Sequence, residues 1–243
     1  MEGIAKKVSL LGCSAVLAMS LAGCASGGED QDAQTDASTT EQNQSPSGSE
    51  QEAAKNEVVI TESGWSVDEQ GYIHYGVILE NKGDQTAQFP VVAITGKDAA
   101  GTVVSSDEQT LMTILPGQTI SWGGQAGKGT APETVDFSVT VSEHNWVASD
   151  SDTNAEMFKI DATSAQDSGI GTLNFVGEIT NLTDADLNSV AVNVILRDAT
   201  GNIVAGYTSF VNNLTAGSTA SFDVLGYGVP AYETFEVTAQ PWS

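Results

Sequence analysis

Cysteine is almost missing from this chain, and what there is lies at one end. Cys13 and Cys24 both fall within the first 24 of 243 residues. The remainder can therefore form no disulfide, no thiolate metal site and no cysteine nucleophile. Basic residues are also scarce, with eight Lys and Arg against 32 Asp and Glu and a formal charge of −24. Such a field repels phosphate backbones and anionic lipid headgroups, which argues against nucleic acid as a partner. The chain has two histidines, His74 and His144, in unrelated settings, and neither has a His or Cys at ligand spacing. A Gly-x-Ser-x-Gly elbow and a Gly-rich phosphate loop are both missing. No catalytic residue, metal ligand or cofactor is expected, and His74 is read as a surface histidine on a strand's outward face. No apolar run approaches the roughly 20 residues of a membrane span, and no segment sustains a helical period.

The N-terminal segment reads as an address. Lys6 and Lys7 precede an apolar stretch over residues 8–19, and small residues follow, the layout of a secretory signal peptide over residues 1–23. Leu21-Ala22-Gly23-Cys24 looks like a bacterial lipobox, which implies cleavage before Cys24 and lipidation of its sulfur. Leu10-Leu11-Gly12-Cys13 has the same form but leaves only Val8 and Ser9 between the lysines and the box. Cys24 is therefore the expected anchor, and two acyl chains hold a protein on a bilayer where one is marginal. Residues 24–55 have no aromatic, Leu, Ile or Val, so they cannot bury enough apolar surface to offset the entropy of ordering. An acidic, disordered tether is expected there, with ends roughly 30 Å apart as a coil and about 100 Å when stretched. The expected location is the extracytoplasmic side of the cell membrane, or of an outer membrane in a two-membrane envelope.

The rest of the chain is written twice, one hundred residues apart. Asn81, Asp84, Val92, Asp98 and Gly101 recur as Asn181, Asp184, Val192, Asp198 and Gly201, and Gly117 and Glu133 recur as Gly217 and Glu233. The offset holds without a gap, and its length indicates a duplicated domain rather than a short-period solenoid. Ile73, Tyr75, Val77 and Leu79 alternate along one strand, as do Leu173, Phe175, Gly177 and Ile179 along its copy, the signature of a half-buried strand. Asp98-Ala99-Ala100-Gly101 and Asp198-Ala199-Thr200-Gly201 read as tight turns, with aspartate capping amides and glycine taking positive φ. About seven short strands per copy predict an all-β fold, two tandem immunoglobulin-like sandwiches over 56–147 and 155–243 with a linker at 148–154.

Gly177-Glu178-Ile179-Thr180-Asn181, then Val194-Ile195-Leu196-Arg197-Asp198 and Gly201, give the second copy its resemblance to the FxLYD family. Leu196 and Asp198 fit the namesake pattern, whereas Val194 and Arg197 replace its Phe and Tyr, and the first copy keeps only Asp98. The resemblance implies an immunoglobulin-like fold in a secreted or lipid-anchored prokaryotic protein, and no shared catalytic residues. Asp150-Ser151-Asp152-Thr153-Asn154 begins like a calcium loop. Ala155 stands where that loop needs glycine and Asp161 where it needs glutamate, so an acidic linker is expected instead. Trp122 aligns with Phe222 and is expected in the core. Trp146 and Trp242 lie beyond strand ends, where they either close the sandwiches or serve as ligand contacts. The expected partners are the membrane, through the lipid, and a protein or cell-wall ligand. The expected role is a spacer or interaction module without enzymatic activity. The alternative is a ligand-binding lipoprotein that takes a carbohydrate, peptide or wall component on exposed aromatics or between the copies.

Overall fold

The computed structural model describes residues 56–149, 156–169 and 171–242. The lipobox, the tether and the calcium-like motif at 150–155 lie outside these residues. The first repeat comprises β1 (Val58–Val67), β2 (Ile73–Asn81), β3 (Gln85–Gln88), β4 (Val91–Lys97), β5 (Val103–Thr110), β6 (Thr113–Ile114), β7 (Thr119–Ala126), β8 (Thr134–Thr140) and β9 (Trp146–Ala148). The second comprises β10 (Phe158–Asp167), β11 (Thr172–Asn181), β12 (Leu187–Arg197), β13 (Ile203–Leu214), β14 (Thr219–Tyr227) and β15 (Thr234–Pro241). The fold is all-β, and every pairing is antiparallel.

In the first repeat the sheet β1-β2-β7 faces the sheet β5-β4-β8, and the short sheet β6-β3-β9 closes one end. Ile73, Tyr75, Val77 and Leu79 from β2 meet Val92 and Ile94 from β4 in one buried core. In the second repeat β10-β11-β14 faces β13-β12-β15, and Phe175, Ile179, Val192, Val194 and Phe222 fill the space between them. Both first strands carry a register shift at matching places, between Ile60 and Glu62 and between Asp161 and Ser164. One difference has a local cause. Pro90 has no N–H to extend a ladder, and Phe89 before it sits at φ 51°, so β3 and β4 are separate where β12 runs through unbroken.

The turns repeat in atomic detail. Asp98 Oδ1 accepts from the amides of Ala100 and Thr102, and Asp198 Oδ1 from those of Thr200 and Asn202. Gly101 and Gly201 close these turns at φ 80° and 88°. Asn81 and Asn181 are fully buried. Each donates through Nδ2 to two carbonyls, those of Gln85 and Ile114 in one repeat and of Ala185 and Leu214 in the other.

The two repeats are packed together. The described residues, from 56 on, belong to one compact unit, and the outward face of β1-β2-β7 lies on the outward face of β13-β12-β15. Four sheets are thereby stacked with three buried layers between them. β2 and β12 are buried on both faces, and Ala191 of β12 belongs to the core of the first repeat. Glycine makes this approach possible. A Cβ on Gly64 would lie 1.8 Å from the Ile203 carbonyl oxygen, and one on Gly123 would lie 2.1 Å from the Tyr207 amide nitrogen. Among the described residues, three polar bridges cross the same seam. Arg197 Nη1 donates to Glu62 Oε2 at 2.6 Å, Thr208 Oγ1 donates to the Gly123 carbonyl at 2.8 Å, and Ser121 and Thr238 share a hydroxyl hydrogen bond.

Candidate functional site

The seam leaves a groove along one side, with a cavity of about 360 Å³ built from both repeats. That volume is at the small end of the roughly 300–1,000 Å³ usual for small-molecule sites. From the first repeat, β7 contributes Trp122, Gly123, Gly124 and Gln125, with Gln109 from β5 and His74 behind. From the second, β13 contributes Tyr207, Thr208 and Phe210, and β14 contributes Leu225 and Tyr227. Trp242, just past β15, completes the wall. Tyr227 is 55% exposed, Phe210 44% and Leu225 38%, so an apolar strip faces solvent there. Trp242 stacks on Trp122 at 5.1 Å and meets Phe210 edge-on at 5.3 Å. These offset and edge contacts are the favoured aromatic geometries, and they fix the platform before any ligand arrives.

The two tryptophans singled out in the sequence have different fates. Trp146 opens β9, pairs opposite Ala87 and packs on the first core. Trp242 is in the groove, but it packs on the core of the first repeat rather than on its own. The six turn residues Asn81, Asp98, Gly101, Asn181, Asp198 and Gly201 hold loops together and do not line the groove.

The reading of His74 as a surface histidine is corrected by the structure. His74 is 2% exposed, because the face of β2 that alternation assigns to water is covered by β13. Its Nε2 lies 3.0 Å from Asp68 Oδ2. Since a carboxylate only accepts, that nitrogen carries the proton. Nδ1 is buried without a partner, as is the hydroxyl of Ser66, the residue opposite His74 on β1. The ring packs on Tyr207 at 5.6 Å. Burial raises the Tyr207 hydroxyl well above the ordinary tyrosine range, and the Asp68 charge adds to this. That hydroxyl donates to the Tyr227 carbonyl at 2.9 Å.

Burial acts to raise the Asp68 carboxyl, but the hydrogen bond from His74 and the amides of Tyr72 and Gln70 outweigh it and hold the pKa below the ordinary value. A carboxyl depressed by folding contributes stability that is complete above its unfolded pKa, near 4, and is lost as pH falls through the lower folded value. The difference in urea midpoint between the parent and Asp68→Asn should therefore shrink as pH falls from about 5 to about 3. A difference that stays constant would remove Asp68 from the account.

Among the described residues, no three His, Cys, Asp or Glu side chains are arranged to hold a metal ion. Outward glycines were the one sequence signal for the seam, since an interior-strand glycine often marks close backbone approach. Phe210, Leu225 and Tyr227 carried no signal of their own. The chain matches no protein-family model, and a search of curated proteins finds no match.

Proposed function

We propose that this chain is a lipid-anchored protein of the extracytoplasmic membrane face, whose two FxLYD-like repeats form a rigid, non-enzymatic interaction head. The observation that carries this reading is the seam. Two independent beads on a string would keep polar outward faces, whereas here those faces are buried on one another around glycines. A fused head of this kind holds a fixed surface at the end of the tether that residues 24–55 provide. The anchor is Cys24, with the strong negative charge keeping the head clear of anionic lipid.

Cys24→Ala should leave the protein unprocessed or released from the membrane, while Cys13→Ala should leave the mature form unchanged. Detergent-phase partitioning and the mass of the N-terminal peptide read both outcomes. A mature N-terminus without lipid on Cys24 would end the anchoring claim.

A further inference from the structure

We infer that the groove at the seam binds a neutral glycan, seating one sugar ring against the Trp242–Phe210–Tyr227 strip. This rests on reading the head as an interaction module, and it adds the ligand class. The first support is charge. The chain carries 32 acidic residues, yet among the described residues no Asp, Glu, Lys or Arg lines this groove. A cationic ligand would find no carboxylate in the lining, and an anionic one would meet a protein of charge −24 without a basic residue to receive it.

The second support is the mixture of surfaces. Gln109, Gln125 and Thr208 stand beside the aromatic strip. The Gln125 amide offers two donors and one acceptor, and the Gln109 amide, which gives one N–H to the Thr110 carbonyl, offers the rest. A wholly apolar occupant such as an acyl chain would strip water from those amides without replacing their hydrogen bonds, at a cost of about 1–3 kcal/mol for each group left unmade. A pyranose presents C–H faces for the rings and hydroxyls for the amides, so it satisfies both. The third is preorganisation. The Trp122–Trp242 stack and the Phe210 edge contact are in place, so little side-chain entropy remains to be lost on binding.

The test uses the mature chain in a polyoxyethylene detergent, since a sugar-headed detergent would compete. Neutral tetrasaccharides of glucose, N-acetylglucosamine, mannose and galactose are titrated, with tryptophan fluorescence and calorimetry as readouts. At least one should give saturable binding with Kd of about 1 mM or tighter. Phe210→Ala and Gln125→Ala alter exposed side chains and should each weaken that binding about tenfold, with circular dichroism unchanged and the melting temperature lowered by no more than about 6 °C. No saturable response to any of the four sugars at roughly ten times that concentration overturns the inference. So does binding that ignores both substitutions, or a proline-rich peptide that binds the groove more tightly than every sugar. Loss of the glycan result leaves Cys24 anchoring intact, and loss of anchoring leaves the titration intact, so the two readings fail separately.

Discussion

Gly123→Ala should lower the melting temperature by roughly 6–12 °C, with both repeats still unfolding in one calorimetric transition. The added methyl would lie 2.1 Å from the Tyr207 nitrogen and 2.3 Å from the Gly206 carbonyl carbon. Both are backbone atoms, so no side-chain rotation relieves the clash. Either the two sheets part or the strands bend. Overpacking of this kind costs about 3 kcal/mol, and a chain of this size loses about 2–4 °C per kcal/mol. Gly64→Ala, aimed at the Ile203 carbonyl, should behave alike. Gly101→Ala is the control. Nothing lies within 4 Å of its Cβ position, so it pays only for positive φ, about 1 kcal/mol. Two separate transitions, or a Gly123 variant as stable as the parent, would show that the repeats do not fold as one.

The seam also marks where sequence reasoning stops. The hundred-residue repeat, the strand alternation and the Asp–x–x–Gly turns are local, so they could be read from residues a few positions apart. In the strand Ile73–Asn81, Tyr75 and Val77 face a core as alternation requires. The same rule gives the opposite face, with His74 and Gly76, to water, because it assumes one buried side. That side is covered by residues about 130 positions away in Ile203–Leu214; Gly76 beside His74 signals a close approach, but nothing nearby in sequence says which strand makes it. The groove is illegible for the same reason. Its wall joins Trp122 to Trp242 and Gln125 to Tyr227, pairs that only the docking of two repeats brings together. Trp242 was visible as a candidate because it lies beyond the last strand. Phe210 was hidden within an ordinary strand pattern.

Asn181→Ala should cost about 4 kcal/mol, and Asn181→Asp should cost more at neutral pH and less in acid. The side chain is fully buried and fully used. Nδ2 donates to the Ala185 and Leu214 carbonyls at 2.8 and 3.1 Å. Oδ1 accepts from the Thr183 amide and hydroxyl at 3.0 and 2.7 Å. The backbone of Asn181 makes its own bonds to Ser218 and Gly217, and these survive the substitution, so the change isolates the side chain. Alanine strands two carbonyls and an amide, each costing about 1–3 kcal/mol when it stays buried. Aspartate keeps the acceptor for Thr183 but turns a negative oxygen toward two carbonyl oxygens. Its carboxyl should therefore be raised in the folded state, because only the protonated form can donate. A group raised by folding is least harmful below its unfolded pKa, near 4, and stability falls as pH rises through the folded value. The urea midpoint of Asn181→Asp should thus decline from pH 4 to pH 7, while that of Asn181→Ala stays level relative to the parent. The equivalent changes at Asn81, which holds the Gln85 and Ile114 carbonyls and the Gly83 amide, should reproduce both the cost and the pH slope. A flat profile for the aspartate variant, or a loss under 1 kcal/mol for alanine, would mean that the loop rehydrates and that the asparagine is not what ties the turn to the core.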